Sequence, residues 1–259
     1  MCPGLAADLQ QIDDARKTAV IDKELFRLNI DIACLQETRL ADSGTIKEAS
    51  FTFFWQGKSI DEPRQHGVGF AVRNTLVASI EPPSSGTERI ISLRLSTSSG
   101  PATILSVYAP TLYSTSEEKD QFYEALDGVI SRIPNTEALY LLGDFNARVG
   151  ADREAWPTCL GAYGRGKINE NGQRLLELCC LHGLCVTNTF FQCKEIHQVS
   201  WRHPRSRHWH QLDGSLPRLQ QGTRDTEEDA SPKEERTSMY QHLLCQQSTK
   251  DQAVPEKPR

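Results

Sequence analysis

The chain is built from short apolar runs separated by polar punctuation, and the spacing inside each run indicates the element it forms. From Ala15 to Leu28, Ile21, Leu25 and Leu28 recur at helical intervals among charges, which predicts an amphipathic helix. Ile30 to Leu35 reads as a short strand that ends in Gln36-Glu37. The stretch from Thr38 to Pro63 has no period and is expected to be a loop holding an aromatic cluster, Phe51, Phe53, Phe54 and Trp55. Val68 to Val72 predicts a strand, and Ile91, Leu93 and Leu95 alternate with polar residues as a half-buried strand does. Thr103 to Val107 is another strand, closing on Tyr108-Ala109-Pro110. Thr115 and Glu118 have capping-box spacing and open a helix with Phe122, Leu126, Val129 and Ile133 on one face. The run Ala138 to Leu142 then ends in Gly143-Asp144-Phe145-Asn146. A Gly-rich loop from Gly150 to Gly166, a helix from about Gly172 to His182 stopped by Gly183, and a strand from Leu184 to Thr187 follow. Val199 to Leu212 is a basic-aromatic hairpin candidate with Trp201, Arg202, Arg205, Arg207 and Trp209, ending at Asp213. Gly214 to Arg259 is polar, without sustained period, and is expected to be disordered.

Three of these runs deliver a polar group at their far end: Glu37, Tyr108, and Asp144 with Asn146. In open sheets of α/β proteins the carboxyl ends of strands are where ligands bind. Each residue also has a plainer reading, since Asp and Asn shape turns through their own backbone, Tyr108 could be a core aromatic and Asp213 a solvated acid. Taken in order, Leu35-Gln36-Glu37-Thr38, Val107-Tyr108-Ala109-Pro110 and Gly143-Asp144-Phe145-Asn146 resemble the endonuclease/exonuclease/phosphatase superfamily. Within it the pattern is most similar to craniofacial-development-type and LINE-type, apurinic-like endonuclease domains, and the similarity covers Ala15 to Asp213.

The resemblance implies an α+β fold, a four-layer αββα sandwich of the DNase I type. It also implies Mg²⁺-dependent hydrolysis of phosphodiesters in DNA, with Mn²⁺ as an alternative ion. Glu37 matches the metal-binding glutamate, and a hard oxygen ligand suits Mg²⁺, which is commonly held by one or two carboxylates plus substrate phosphate. Asp144 matches the aspartate that activates the attacking water and Asn146 the asparagine that positions it. Their spacing puts both side chains on one face of an extended segment. Tyr108 matches a tyrosine whose hydroxyl contacts the phosphate, and Asp213 the aspartate that orients the last catalytic group, a histidine. Arg202, Arg205, Arg207 and Trp209 are candidate nucleic-acid contacts, because Arg neutralises phosphate and an aromatic ring stacks on an unpaired base.

Two departures qualify the match. No Trp-Asn or Phe-Asn pair precedes Asn29, and no Ser-Asp-His follows Asp213. The expectation is a domain over residues 15–213, incomplete at both ends, with residues 1–14 unassigned and 214–259 as a tail. Two rivals to the nuclease stay open: an inactive relative that binds nucleic acid or protein, and a phosphatase acting on a small phosphorylated molecule.

Charge narrows these readings. A net charge of -5 argues against capture of nucleic acid by overall charge, so a polyanion must be held by a local basic patch or a metal. No apolar stretch reaches membrane-span length and no leader pattern opens the chain, so no membrane partner is expected. Cys34, Cys179, Cys180 and Cys185 fall in expected strands and a helix, which fits reduced thiols in a nuclear or cytoplasmic monomer.

Overall fold

β3 (Phe51–Gln56) and β4 (Val68–Arg73) form the centre of one sheet, and both are buried on both faces. β1 (Ile32–Gln36) and β2 (Ser43–Lys47) complete it in the antiparallel order β1-β4-β3-β2. β2 and β3 form a hairpin inside the stretch expected to be a loop. Phe51, Thr52, Phe53 and Phe54 are buried in succession, so the run lacks the alternation that marks a half-buried strand. The structure, a computed structural model, describes residues 14–83, 86–192, 199–202, 209–211 and 242–246.

The second sheet is larger. It contains β5 (Ile80–Glu81), β6 (Gly86–Thr87), β7 (Ile90–Thr97), β8 (Gly100–Tyr108), β9 (Ala138–Asp144) and β10 (Leu184–Val186). The first helix, α1 (Asp14–Arg27), precedes β1; the second, α2 (Ser116–Ile130), connects β8 to β9 and carries the chain back to the start of the next strand, so that β8 and β9 run parallel. The capping box at α2 forms as expected: Thr115 Oγ1 accepts from Glu118 N and the Glu118 carboxylate accepts from Thr115 N, both at 3.2 Å. α3 (Glu170–His182) stops at Gly183, whose φ of 63° provides the left-handed C-cap.

Five residues of the segment expected to be disordered are a strand. His242–Gln246, strand β13, lies antiparallel between β9 and β10, with His242 in register with Gly143 and Leu244 with Leu141 and Val186. The run His-Leu-Leu-Cys-Gln is too short and too isolated in polar sequence to announce itself. The rest of residues 214–259, like residues 1–13, lies outside the described residues. β11 (Val199–Arg202) and β12 (Trp209–Gln211) pair antiparallel as a separate hairpin, with Arg202 opposite Trp209.

Three apolar clusters glue four layers together. Leu25 of α1 packs with Ala33, Phe51, Phe53 and Ala71 on the outer face of the first sheet. Phe54, Val68, Phe70 and Val72 on its inner face meet Ile91, Leu93, Ile104 and Tyr108 of the second sheet. Leu105, Val107, Leu139 and Leu141 on the far face of that sheet pack against Phe122 and Leu126 of α2 and Leu175, Leu176 and Cys179 of α3. The order is therefore helix, sheet, sheet, helices, the αββα sandwich expected from the sequence. Cys34, Cys159, Cys179, Cys180 and Cys185 form no disulfide, and Cys180 is exposed. No helix among the described residues is long and apolar enough to cross a membrane.

At the rim of the large sheet, away from the strand ends that matter below, Glu137 is buried beneath Arg94. Its carboxylate accepts from Arg94 Nε at 3.0 Å, Arg94 Nη2 at 2.8 Å and Thr103 Oγ1 at 3.1 Å. The hydrogen bonds from Arg94 hold this carboxyl below its ordinary value, so its contribution is complete above pH 4.5 and is lost as the pH falls through the lower folded value. Glu137→Gln is expected to cost no more than about 1 kcal/mol at pH 7, because Arg94 is solvent-exposed and the pair is screened. Urea midpoints of the two proteins should converge at acid pH; a gap that persists there would mean that packing, not charge, accounts for the loss.

Candidate active site

The two sheets end together at one edge, and their strand termini supply the site. β8 is the centre: its last residue, Tyr108, pairs through its backbone N–H with Arg89 O at 2.8 Å on the β7 side, and is in register with Asp144 on the β9 side. Across the sandwich, Glu37 directly follows β1. Tyr108 Oη donates to Glu37 Oε1 at 2.7 Å and so joins the two sheets at the site. Gln36 adds a second link, Nε2 to Ser106 Oγ at 3.0 Å.

The local conformation explains why the polar groups face outward. Phe145 is 2% exposed, so the side chain between Asp144 and Asn146 is the one anchored in the core. Asn146 adopts φ 47°, and its N–H donates to Asp144 Oδ1 at 2.8 Å in an Asx turn. The segment is therefore not extended at Asn146, and the turn rather than strand alternation brings the two side chains together. Burying Phe145 contributes about 1.5–3 kcal/mol, enough to offset the roughly 1–2 kcal/mol cost of left-handed backbone at a non-glycine residue. Asn146 Nδ2 donates to Ala109 O at 2.9 Å, and Ala109 N donates to Asp144 O at 2.8 Å, locking the segment to the end of β8.

Residues without a recognisable pattern hold this arrangement. Buried Asn171, at the start of α3, donates from Nδ2 to Pro110 O at 2.9 Å and to Asn146 O at 3.1 Å. The N-cap Asn169 accepts from Gly172 N at 2.8 Å and Arg148 N at 2.9 Å. His66 and Gly67 lace the opposite wall, with Thr38 N donating to Gly67 O at 3.1 Å, Arg39 N to His66 O at 3.0 Å and Gly67 N to Glu88 O at 3.0 Å. Glu37, Arg39 and His66 have φ of 53°, 54° and 64°, so this wall, like Asn146, is built in left-handed backbone.

The electrostatics are those of a site with one acid-stable donor and two solvent-accessible carboxylates. Burial, together with the hydrogen bond and charge of Glu37, pushes the Tyr108 hydroxyl well above its ordinary value, so it keeps its proton at neutral pH. Glu37 Oε2 also lies 3.6 Å from Arg39 Nη2, with the Glu37 side chain 42% exposed. No group of three or more His, Cys, Asp or Glu side chains able to hold a metal stands among the described residues. The exposed Glu37 carboxylate is a hard oxygen ligand of the kind Mg²⁺ takes beside its waters, and the described residues offer no cage of protein ligands of the kind zinc takes.

Of the residues singled out in the sequence, Glu37, Tyr108, Asp144 and Asn146 are brought together. Arg202 and Trp209 sit opposite one another in the β11–β12 hairpin. Asp213, Arg205 and Arg207 lie outside the described residues.

A four-layer sandwich with carboxylates and a tyrosine at the joint edge of its sheets defines a class, and the chain belongs to it: the Endonuclease/Exonuclease/phosphatase family, whose model matches residues 9–209. Among curated proteins it is similar to craniofacial development protein 2 of Bos taurus, 32% identical over 197 residues, which are 76% of this chain and 33% of that protein. The protein of that name from Tragulus javanicus is 30% identical over 197 residues, 76% of this chain and 34% of the relative. The chain thus spans about a third of the length of these relatives. Among solved structures, an AP endonuclease from Archaeoglobus fulgidus aligns with TM-score 0.53 at 16% identity, covering 87% of this chain and 92% of that one. The endonuclease domain of TRAS1, a telomere-specific non-LTR retrotransposon, aligns with TM-score 0.51 at 15% identity, covering 92% and 82%. At that identity the two structures establish the fold.

Proposed function

We propose that the chain is a divalent-metal-dependent phosphodiesterase acting on DNA, an endonuclease of the apurinic or retrotransposon type. The observation that carries this reading is the meeting of Glu37, Tyr108, Asp144 and Asn146 where the two sheets end, with Tyr108 Oη 2.7 Å from Glu37 Oε1. The family membership and the two endonucleases that share the fold support it.

In this reading each side chain has one task. Asp144 takes the proton of the attacking water; Oδ1 already accepts from Asn146 N, which holds the carboxylate still and leaves Oδ2 to face the water. Asn146, fixed through Nδ2 to Ala109 O, orients that water with its remaining amide groups. Tyr108 is a neutral donor that can turn from Glu37 to a non-bridging phosphate oxygen as charge develops there. Glu37 would hold the metal ion, which, when bound, neutralises phosphate charge as a Lewis acid. Asp213 matches the aspartate that orients a histidine in the family, and Arg202, Arg205, Arg207 and Trp209 would contact the DNA strand.

The test is nicking of supercoiled plasmid by the full chain. Nicking should require Mg²⁺ or Mn²⁺, stop with EDTA, and fall at least tenfold in Glu37→Gln, with much of the loss recovered at higher Mg²⁺. Hydrolysis of inositol phosphates without nicking would replace DNA by a small phosphorylated substrate. Absence of both activities, in a protein that melts cooperatively, would leave a binding module.

A further inference from the structure

We infer that Cys159 and Cys180 form a modification site, a dithiol that a small disulfide such as oxidised glutathione converts reversibly into an intramolecular disulfide. The site stands apart from the proposed activity, and its test requires no turnover.

Two elements distant from the strand ends bring the pair together. Trp156 O accepts from Cys159 N at 3.3 Å and from Leu160 N at 3.0 Å, so the chain turns here, and Cys159 O accepts from Val186 N of β10 at 2.9 Å. The turn seats the Cys159 side chain on α3, with Sγ 3.9 Å from Leu176 O and 3.0 Å from Cys180 Sγ. Leu176 and Cys180 stand at i and i+4 on one face of the helix, which is why a single side chain meets both. Two unbonded sulfurs rarely approach so closely, and the gap is only about 1 Å longer than the ~2.05 Å of a disulfide bond. The neighbouring thiols are placed otherwise: Cys179 is buried in the apolar cluster beneath α3, and Cys185 lies in β10.

Exposure divides the roles. Cys180 is exposed, whereas Cys159 is buried. Burial, and then the contact with the Cys180 sulfur, hold the Cys159 thiol above its ordinary value, so it keeps its proton at neutral pH. Cys180 is therefore the sulfur that meets the reagent. Its thiolate attacks glutathione disulfide, forming a mixed disulfide and releasing one glutathione thiolate, which takes up a proton equivalent to the one Cys180 lost. Cys159 then gives up its proton and attacks the Cys180 sulfur, expelling the second glutathione, which is protonated in turn. The protein's two thiols lose two electrons, and one glutathione disulfide gains them to become two glutathione thiols.

The new bond would close a ring over residues 159–180. That ring contains Asn169, whose side chain accepts from Arg148 N, and Asn171, whose side chain donates to Pro110 O and Asn146 O. Oxidation thus staples the segment that braces the end of β9.

The experiment equilibrates the full chain with mixtures of reduced and oxidised glutathione, blocks remaining thiols with N-ethylmaleimide and maps the disulfides after trypsin. As the oxidised fraction rises, residues 154–165 should become linked to residues 175–194, with maleimide on Cys179 and Cys185 and none on Cys180. The linked protein should melt about 5–10 °C higher, as expected when a loop of this length is closed, and dithiothreitol should reverse both changes. Cys159→Ser should instead retain glutathione on Cys180. Cys180→Ser, a change at an exposed position, should leave residue 159 with neither link nor adduct. Glutathione held on Cys180 of the unaltered chain with no link at any ratio overturns the pair. A link from Cys159 to Cys179 or Cys185 overturns it as well.

Discussion

Replacing Asp144 with alanine is expected to lower Mg²⁺-dependent nicking by about 10²–10⁴-fold, the usual contribution of one acid/base group, or roughly 3–5 kcal/mol of barrier. The alanine does two things, however. It removes the base, and it removes the Oδ1 acceptor that closes the turn onto Asn146 N. Asp144→Asn separates them, since its amide oxygen can still accept from Asn146 while it cannot take a proton from water. Equal losses in the two variants, with unchanged melting of Asp144→Asn, assign the effect to proton transfer. Near-normal nicking by Asp144→Asn would move water activation to another group.

The second large effect is on folding. Gly143 has φ 151° and sits in the parallel β8–β9 pairing opposite Val107; an added Cβ would stand 1.9 Å from Val107 O, a backbone atom that cannot swing aside. Overpacking of this kind costs about 1–3 kcal/mol and the strained backbone about 1–3 kcal/mol more. Gly143→Ala should therefore consume a large part of a typical domain's stability of about 5–15 kcal/mol and lower Tm by about 10 °C. Its nicking should fail in parallel with its melting, unlike that of Asp144→Asn. A Gly143→Ala protein that melts normally would show that β8 and β9 can part at their ends without loss.

The groups that carry charge at the site were legible because each terminates an apolar run. Glu37, Tyr108 and Asp144 interrupt β1, β8 and β9 at their carboxyl ends, and that juncture can be seen without coordinates. The spacing argument for Asn146 gave the right neighbourhood by the wrong geometry, since a left-handed turn replaces strand alternation there. His66, Arg89 and Asn171 were not legible. They act from turns and a helix start, through bonds to main-chain atoms far along the chain, and nothing periodic marks such positions. The β2–β3 hairpin escaped for a different reason. Burial on both faces erases the pattern that exposes a strand.

The left-handed backbone at Glu37, His66 and Asn146 has a consequence for anyone who alters this protein. A selection for thermal tolerance is expected to enrich glycine at these three positions, since glycine occupies that conformation without penalty. Every such gain would delete a functional group from the rim of the sandwich. Tolerance and chemistry therefore compete for the same residues, and variants improved in one should be found by their deficit in the other.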